Sequence, residues 1–436
     1  MKNKIKKISF RVLGCRLNQS EVASLKNEFS QNGYDVVDSD KISDITIINS
    51  CAVTTQAEAK TRAEVTAANK VSPGGKIIMT GCYAQEKKAD LLNLKNVHVV
   101  IGNLEKTRLF EFVENIEDWE NKAEVADIND PRLVQSHDYY TFSQDSIAIT
   151  DRTRAFVKIQ DGCNYFCSYC IIPYLRGRVR SRKSDEIMQE VIALEKKGYK
   201  EIVLSGINVG TYKQEDDFDL TSLLKLLLEN TSITRFRLSS IEPNLITDEM
   251  IDLMKNHNRL CNYFHIPLQH GSDKILKLMN RKYTLGDFAN VVCKIRKSIP
   301  DVAIGTDAIV GFPNEDEEDF LSMYNFIKEH EFPFLHIFRY SKREGTKAAT
   351  MSNQVRDIDK KNRSAKLRKL GDQLQEIYIK KFLNKELDVL FETSSGGNSE
   401  NFIFVKVNSD KDLTNEVKKV KISKVFESHA EGIIIE

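Results

Sequence analysis

Cys163, Cys167 and Cys170 fall within one short run, Cys-Asn-Tyr-Phe-Cys-Ser-Tyr-Cys. A C-x3-C-x2-C run offers three thiolates and no fourth. A four-iron cluster held by three thiolates keeps one iron open for a ligand, which reactive chemistry needs and a structural site avoids. The spacing is neither that of paired C-x2-C zinc knuckles nor that of a thioredoxin-like C-x-x-C. No His or Cys lies close enough in sequence to complete a short zinc hairpin. The run therefore predicts a reactive iron–sulfur centre.

Three more cysteines share a local setting. The pairs Gly14-Cys15, Ser50-Cys51 and Gly81-Cys82 each follow a predicted strand, at Ile8 to Leu13, Asp44 to Asn49 and Lys76 to Thr80. A further strand at Val97 to Ile101 and a helix from Ser20 to Asn32, with Val22, Leu25 and Phe29 on one face and Gly33 as its stop, predict a parallel α/β sheet. Open sheets of this kind place ligands at the carboxyl ends of their strands. Strands about 4.8 Å apart bring the three thiols within reach of one cluster. One cysteine at a strand end is an ordinary small core residue, but three in register predict a second cluster. Cys261 and Cys293 sit in apolar patterns and are expected to be core residues.

The elements that position these residues divide the chain into three. Residues 115–150, acidic and polar, are expected to be a linker. Six strand–helix units follow, with strands near Ala155–Gln160, Glu201–Leu204, Arg235–Leu238, Asn262–Leu268, Val302–Val310 and Phe334–Tyr340. Helices Ser184–Lys197 and Thr284–Ser298 are each expected to open on a capping hydroxyl. Six units fall short of the eight of a closed TIM barrel, so an open, partial (β/α)6 barrel is predicted. After a basic helical run from Arg356 to Lys369, short strands at Glu386–Thr393, Phe402–Val407, Lys418–Val425 and Gly432–Ile435, with a turn at 394–397, predict a small β-barrel. The fold class is thus α/β with a terminal β-module, over domains 5–118, 149–377 and 378–436.

Composition narrows the class. With 436 residues, 41% hydrophobic and 29% charged, the chain suits a globular protein of about three domains. The basic start, Met1 to Lys7, has no apolar h-region behind it, and no run of 18 apolar residues occurs, so a cytoplasmic protein without a membrane span is expected. Eight cysteines without a secretory signal point to reduced thiols. The eight histidines show no metal-ligand spacing. A net charge of +1 leaves any nucleic-acid contact to local basic patches.

The cysteine run, with Tyr169 before its last member, resembles the signature of radical S-adenosylmethionine (SAM) enzymes. That resemblance implies SAM on the open iron, with further contacts from barrel strand ends. Gly206 and Asn208 follow the second strand, Ser240 and Glu242 the third, Gln269 the fourth, and Asp307 and Gly311 belong to the fifth. Arg281 is expected either to partner the SAM carboxylate or to be a plain helix-surface arginine. The motif Ser205-Gly206-Ile207-Asn208 replaces the Gly-Gly-Glu common in radical SAM enzymes, a departure that methylthiotransferases share.

Over nearly its whole length the chain resembles the methylthiotransferases. Leu13-Gly-Cys-Arg-Leu-Asn18, Asn49-Ser-Cys-Ala-Val-Thr54, Gly81-Cys-Tyr-Ala84 and the segment from Asp161 to Arg182 carry the likeness. His265-Ile-Pro-Leu-Gln269, Met279-Asn-Arg-Lys-Tyr283 and the stretch from His336 to Thr346 are most similar to the bacterial branch acting on tRNA N6-threonylcarbamoyladenosine. The branches acting on isopentenyladenosine and on a ribosomal-protein aspartate are the alternatives. The resemblance implies two [4Fe-4S] clusters, on Cys15, Cys51 and Cys82 and on Cys163, Cys167 and Cys170. It also implies SAM as both methyl donor and radical source, a C-terminal RNA-binding domain of the TRAM type, and methylthiolation at C2 of adenosine 37 in the anticodon stem-loop. An electron donor and a sulfur donor are implied as well.

Two basic runs are expected to meet phosphates. One holds Arg176, Arg178, Arg180, Arg182 and Lys183; the other holds Arg356, Lys360, Lys361, Arg363, Lys366, Arg368 and Lys369. An iron–sulfur electron carrier would need no SAM pocket, and a pure RNA-binding module would leave six grouped cysteines unexplained.

Overall fold

The computed structural model describes residues 6–116, 124–125 and 153–435. The N-terminal domain runs β1 (Lys7–Val12), α1 (Arg16–Gln31), β2 (Asp35–Val37), β3 (Ile45–Ser50), α2 (Thr55–Val71), β4 (Lys76–Gly81), α3 (Cys82–Glu86), α4 (Lys88–Leu92), β5 (Val97–Val100), α5 (Leu109–Glu114) and β6 (Glu124–Val125). Its strands form one parallel sheet in the order β2-β1-β3-β4-β5-β6. Both faces are covered by helices, so Ile45, Ile47, Ile48, Ile77, Ile78 and Met79 are all buried and the strands read as near-continuous apolar runs. Two short strands, β2 and β6, lie outside the predicted set. Strand β6 falls in the expected linker, most of which lies outside the described residues.

The central domain comprises β7 (Arg154–Lys158), β8 (Gln160–Asp161), α6 (Ile172–Arg176), β9 (Arg180–Ser181), α7 (Ser184–Lys196), β10 (Glu201–Ser205), α8 (Leu220–Asn230), β11 (Arg235–Leu238), α9 (Asp248–Asn256), β12 (Tyr263–His265), α10 (Asp273–Leu278), α11 (Leu285–Ser298), β13 (Ala303–Val310), α12 (Glu317–Glu329) and β14 (Phe334–Arg339). Strands β7, β10 and β11 pair in parallel, as do β12, β13 and β14, and a parallel bridge from Phe236 to Leu260 joins the halves. This is the predicted open six-stranded barrel. Strand β12 is shorter than expected because Pro267 has no N–H to give the ladder. Pairing resumes only at the bridge between Gln269 and Ala308. Thr284 builds a full capping box with Asp287, whereas α7 opens on Lys183 with no side-chain cap, so Ser184 is its first residue and not its cap.

Helix α13 (Asp357–Lys380) extends the predicted basic run and leads into β15 (Glu386–Phe391), β16 (Gly396–Ser399), β17 (Phe404–Val407), β18 (Val417–Val425) and β19 (Ala430–Ile434). These close as β15-β16-β17-β19-β18. The expected turn at 394–397 is partly strand. A Cβ on Gly397 would lie 2.0 Å from the Leu390 carbonyl oxygen, so glycine is there to admit the neighbouring backbone. The small barrel sits under the amino ends of the central strands. Arg235 donates to the carbonyls of Asn398 (3.1 Å) and Asp388 (2.5 Å), and Arg237 to that of Glu400 (3.0 Å), while Tyr263 and Ala303 share its apolar core.

Candidate functional site

Strands β1, β3 and β4 are neighbours in register, so Cys15, Cys51 and Cys82 come to one carboxyl edge. The turn glycines make this possible. Gly14 (φ +97°) and Gly81 (φ +96°) hold left-handed backbone, and a Cβ would lie 2.9 Å from Cys51 Sγ at the first and 2.4 Å from the Ser50 carbonyl at the second. In the central domain Cys163, Cys167 and Cys170 lie in the loop between β8 and α6. Burial pushes the Cys51 and Cys163 thiols up to about 11 and raises Cys170 as well. Metal must therefore displace protons on binding.

The donor sets fit clusters better than single ions. Among the described residues, the group of three ligand side chains whose donor atoms all lie within 4.8 Å of one another is His265, Asp307 and His336, and neither cysteine triad meets that limit. Two sulfurs on one zinc, at about 2.3 Å each, cannot stand more than about 4.6 Å apart. Three thiols on separate irons of one cluster can.

Helix α6, directly after Cys170, plugs into the N-terminal domain. Ile171 and Leu175 join the apolar cluster that contains Cys82 and Tyr83. On the other flank Arg343 donates to the Ala52 carbonyl (2.7 Å), pairs with Glu58 and reaches Thr55 Oγ1 (3.3 Å), fixing the loop after Cys51. A cleft opens between the domains. Val53 and Thr54 line one side and Tyr169, Cys170, Gln269 and Asp307 the other.

The expected SAM contacts divide into two groups. Gln160 Oε1 accepts the backbone N–H groups of Ile207 (2.8 Å) and Asn208 (3.0 Å), pinning the loop after Gly206. Asn208 Oδ1 accepts from the Glu242 N–H at 3.5 Å, and its Nδ2 is buried without a partner. Such an orphaned donor costs stability unless a ligand takes it. Ser240 is half-buried beside it, its carbonyl accepting from Val209 N–H. Arg281 is committed within the protein: it pairs with Glu242 and donates to Cys167 Sγ at 3.1 Å. Gln269 holds φ +63° while its N–H bonds the Asp307 carbonyl at 2.8 Å, a strained conformation at the cleft wall. Gly311 lies away from the cleft, against the Lys360 side chain of α13.

The basic runs need correction. Arg176 is buried, not a surface phosphate ligand: it bonds Glu21 (3.0 Å), Asp161 (3.1 Å) and Asn18 Oδ1 (2.6 Å). Lys106 and Lys158 complete the network. Burial alone would raise the Glu21 carboxyl, but these three cations hold it well below the usual range. Arg180 is buried beside Asp161, Arg182 is paired with Glu186 and Glu190, and Arg363 is buried on Glu315. Arg178 lies over the Phe166 ring at 4.5 Å, and Lys366 and Lys369 are exposed. Cys261 is buried as expected; Cys293 is exposed on α11.

The geometry agrees with the chain's relatives. Residues 157–327 match the radical SAM superfamily and residues 7–102 the uncharacterized protein family UPF0004. The threonylcarbamoyladenosine tRNA methylthiotransferase MtaB of Bacillus subtilis is 37% identical, over 98% of this chain and 95% of its own. The tRNA-2-methylthio-N(6)-dimethylallyladenosine synthase of Thermodesulfovibrio yellowstonii is 34% identical, over 98% of each chain. Among solved structures, the radical S-adenosylmethionine methyltransferase TsrM of Kitasatospora setae superposes with a TM-score of 0.57 at 13% identity, over 79% of this chain and 77% of that one, which speaks to fold alone. With a cysteine triad in each of two contacting domains and full-length likeness to both enzymes, the chain belongs to the radical SAM methylthiotransferase family.

Proposed function

We propose that this protein methylthiolates C2 of N6-threonylcarbamoyladenosine 37 in tRNA. The observation that carries the reading is a cleft between the two cysteine-bearing domains, with Cys170 on one wall and Val53 and Thr54, directly after Cys51, on the other, in a chain whose relatives include the threonylcarbamoyladenosine enzymes. Cys163, Cys167 and Cys170 would hold the [4Fe-4S] cluster that binds SAM, and Cys15, Cys51 and Cys82 a second. Bound there, SAM supplies a carbon radical, which the unactivated C2–H bond requires because it offers no acid–base handle. Asn208 would orient the methionine end and Ser240 the ribose. The Arg281–Glu242 pair steadies Cys167, and Tyr169 and Gln269 line the route to the base. Sulfur and electrons come from separate donors. No helix among the described residues is long and apolar enough to cross a membrane, and a cytoplasmic site of action accords with a tRNA substrate.

Alanine at Cys15, Cys51 and Cys82 separates the two triads. The variant continues to make 5'-deoxyadenosine from SAM but forms no methylthio nucleoside, both read by mass spectrometry. Normal product from it would remove the N-terminal triad from the reaction.

The phosphate-binding surface is assigned to the exposed cations of α13 and to the small barrel. Charge reversal at Lys366 and Lys369 lowers the log–log salt slope of tRNA binding by somewhat under about one unit for each phosphate that is no longer neutralised. An unchanged slope would place the RNA on another face. Removal of the barrel is a poor test, because it strips the cover from Tyr263 and Ala303.

A further inference from the structure

Three side chains outside the cysteine loops meet on the inner face of the central barrel. Asp307 on β13 and His336 on β14 are register partners. Asp307 Oδ1 accepts from His265 Nε2 at 3.1 Å and lies 3.4 Å from His336 Nδ1. The two rings stand 5.1 Å apart, and Tyr263 Oη is 3.2 Å from His265 Nδ1. The gradient of exposure is directional. The His265 side chain is 9% exposed, Asp307 20% and His336 54%. The deep members thus fix the outer one. With Nδ1 turned to Asp307, the other nitrogen of His336, Nε2, is left to the open face.

The surroundings suit an anion attached to a flat ring. Two residues along β14, and so on the same face as His336, Phe338 exposes a large apolar ring. Asp307, Phe338 and Arg339 all line the cleft that Cys170, Val53 and Thr54 also border. Arg339 is exposed and has no ion-pair partner among the described residues. Asp307 does not spoil this: burial alone would raise its carboxyl, yet the two histidines hold it well below the usual carboxylate range. Its Oδ1 is engaged by His265 Nε2 on the buried side and faces His336 Nδ1 on the other.

We propose that His336, braced by Asp307 and His265, and Arg339 form the subsite for the free carboxylate of the threonylcarbamoyl group, with Phe338 against the base. This rests on the substrate reading above and deepens it. The threonyl carboxylate is the feature that distinguishes this nucleoside from isopentenyladenosine, whose substituent is wholly apolar. A charge-assisted contact to that carboxylate supplies the discrimination.

The test uses reconstituted enzyme and two synthetic anticodon stem-loops, one with the threonylcarbamoyl carboxylate intact and one with it converted to the carboxamide. Wild-type protein binds the carboxylate form about tenfold tighter, the scale of one hydrogen bond to a charged group. His336→Ala and Arg339→Ala each lose most of that ratio while keeping iron content and affinity for the carboxamide RNA, which show the fold intact. His336→Gln, which keeps a side-chain N–H donor in a different geometry, falls between. A His336→Ala variant that keeps the full ratio overturns the subsite and leaves the substrate reading standing. Equal wild-type affinity for both RNAs also overturns it, and so does a chelatable divalent ion that the wild type binds in addition to cluster iron and His336→Ala does not. Failure of the substrate reading shows separately, as wild-type enzyme that forms no methylthio product on the carboxylate RNA.

Discussion

Alanine at Cys163, Cys167 and Cys170 removes about half of the iron from anaerobically reconstituted protein and all production of 5'-deoxyadenosine from SAM. The effect is large because these thiols are the whole donor set proposed for the reactive cluster, and Arg281, 3.1 Å from Cys167 Sγ, cannot substitute as a ligand. Folding should persist, since the loop is held from outside the triad: Ser168 N–H bonds the Met279 carbonyl at 2.9 Å and Ile171 sits in the N-terminal core. Iron assay with SAM-cleavage chromatography reads both halves of the result. A variant that keeps its full iron contradicts the cluster assignment.

Arg176→Met has the second large effect, on stability. It leaves Glu21 and Asp161 buried with Lys106 and Lys158 but without the guanidinium that bridges them across the domain interface. Breaking such a buried network from one side costs about 3–5 kcal/mol. Thermal unfolding reads the loss. The sign of the pH dependence follows from the same groups. The depressed carboxyls of Glu21 and Asp161 contribute stability that is fully present above their unfolded values, near pH 4. It is lost as pH falls through their lower folded values, so the gap between wild type and variant narrows in acid. A variant of unchanged stability with weakened tRNA binding would return Arg176 to the RNA surface.

The two cysteine triads were legible because their positions are set locally. Each N-terminal cysteine directly follows a strand, and strand ends are readable from apolar runs with β-branched residues; the central triad is a contiguous motif. The fate of Arg176 was not legible. Its partners Glu21 and Asp161 lie 155 and 15 residues away, and a charge run carries no sign of which members will be buried opposite a carboxylate. The same holds for Arg363, which meets Glu315 from another element. His265, Asp307 and His336 show no ligand spacing because three separate strands supply them. The glycines at 396 and 397 resembled a turn, when one of them admits a neighbouring strand.

Nucleoside mass spectrometry decides the central claim most directly. Reconstituted protein is given SAM, a strong reductant, a sulfide source and tRNA that carries either threonylcarbamoyladenosine or isopentenyladenosine at position 37. The account predicts 2-methylthio-N6-threonylcarbamoyladenosine from the first tRNA and little or no product from the second. Methylthiolation of the isopentenyl form alone, or SAM cleavage with neither nucleoside changed, contradicts it.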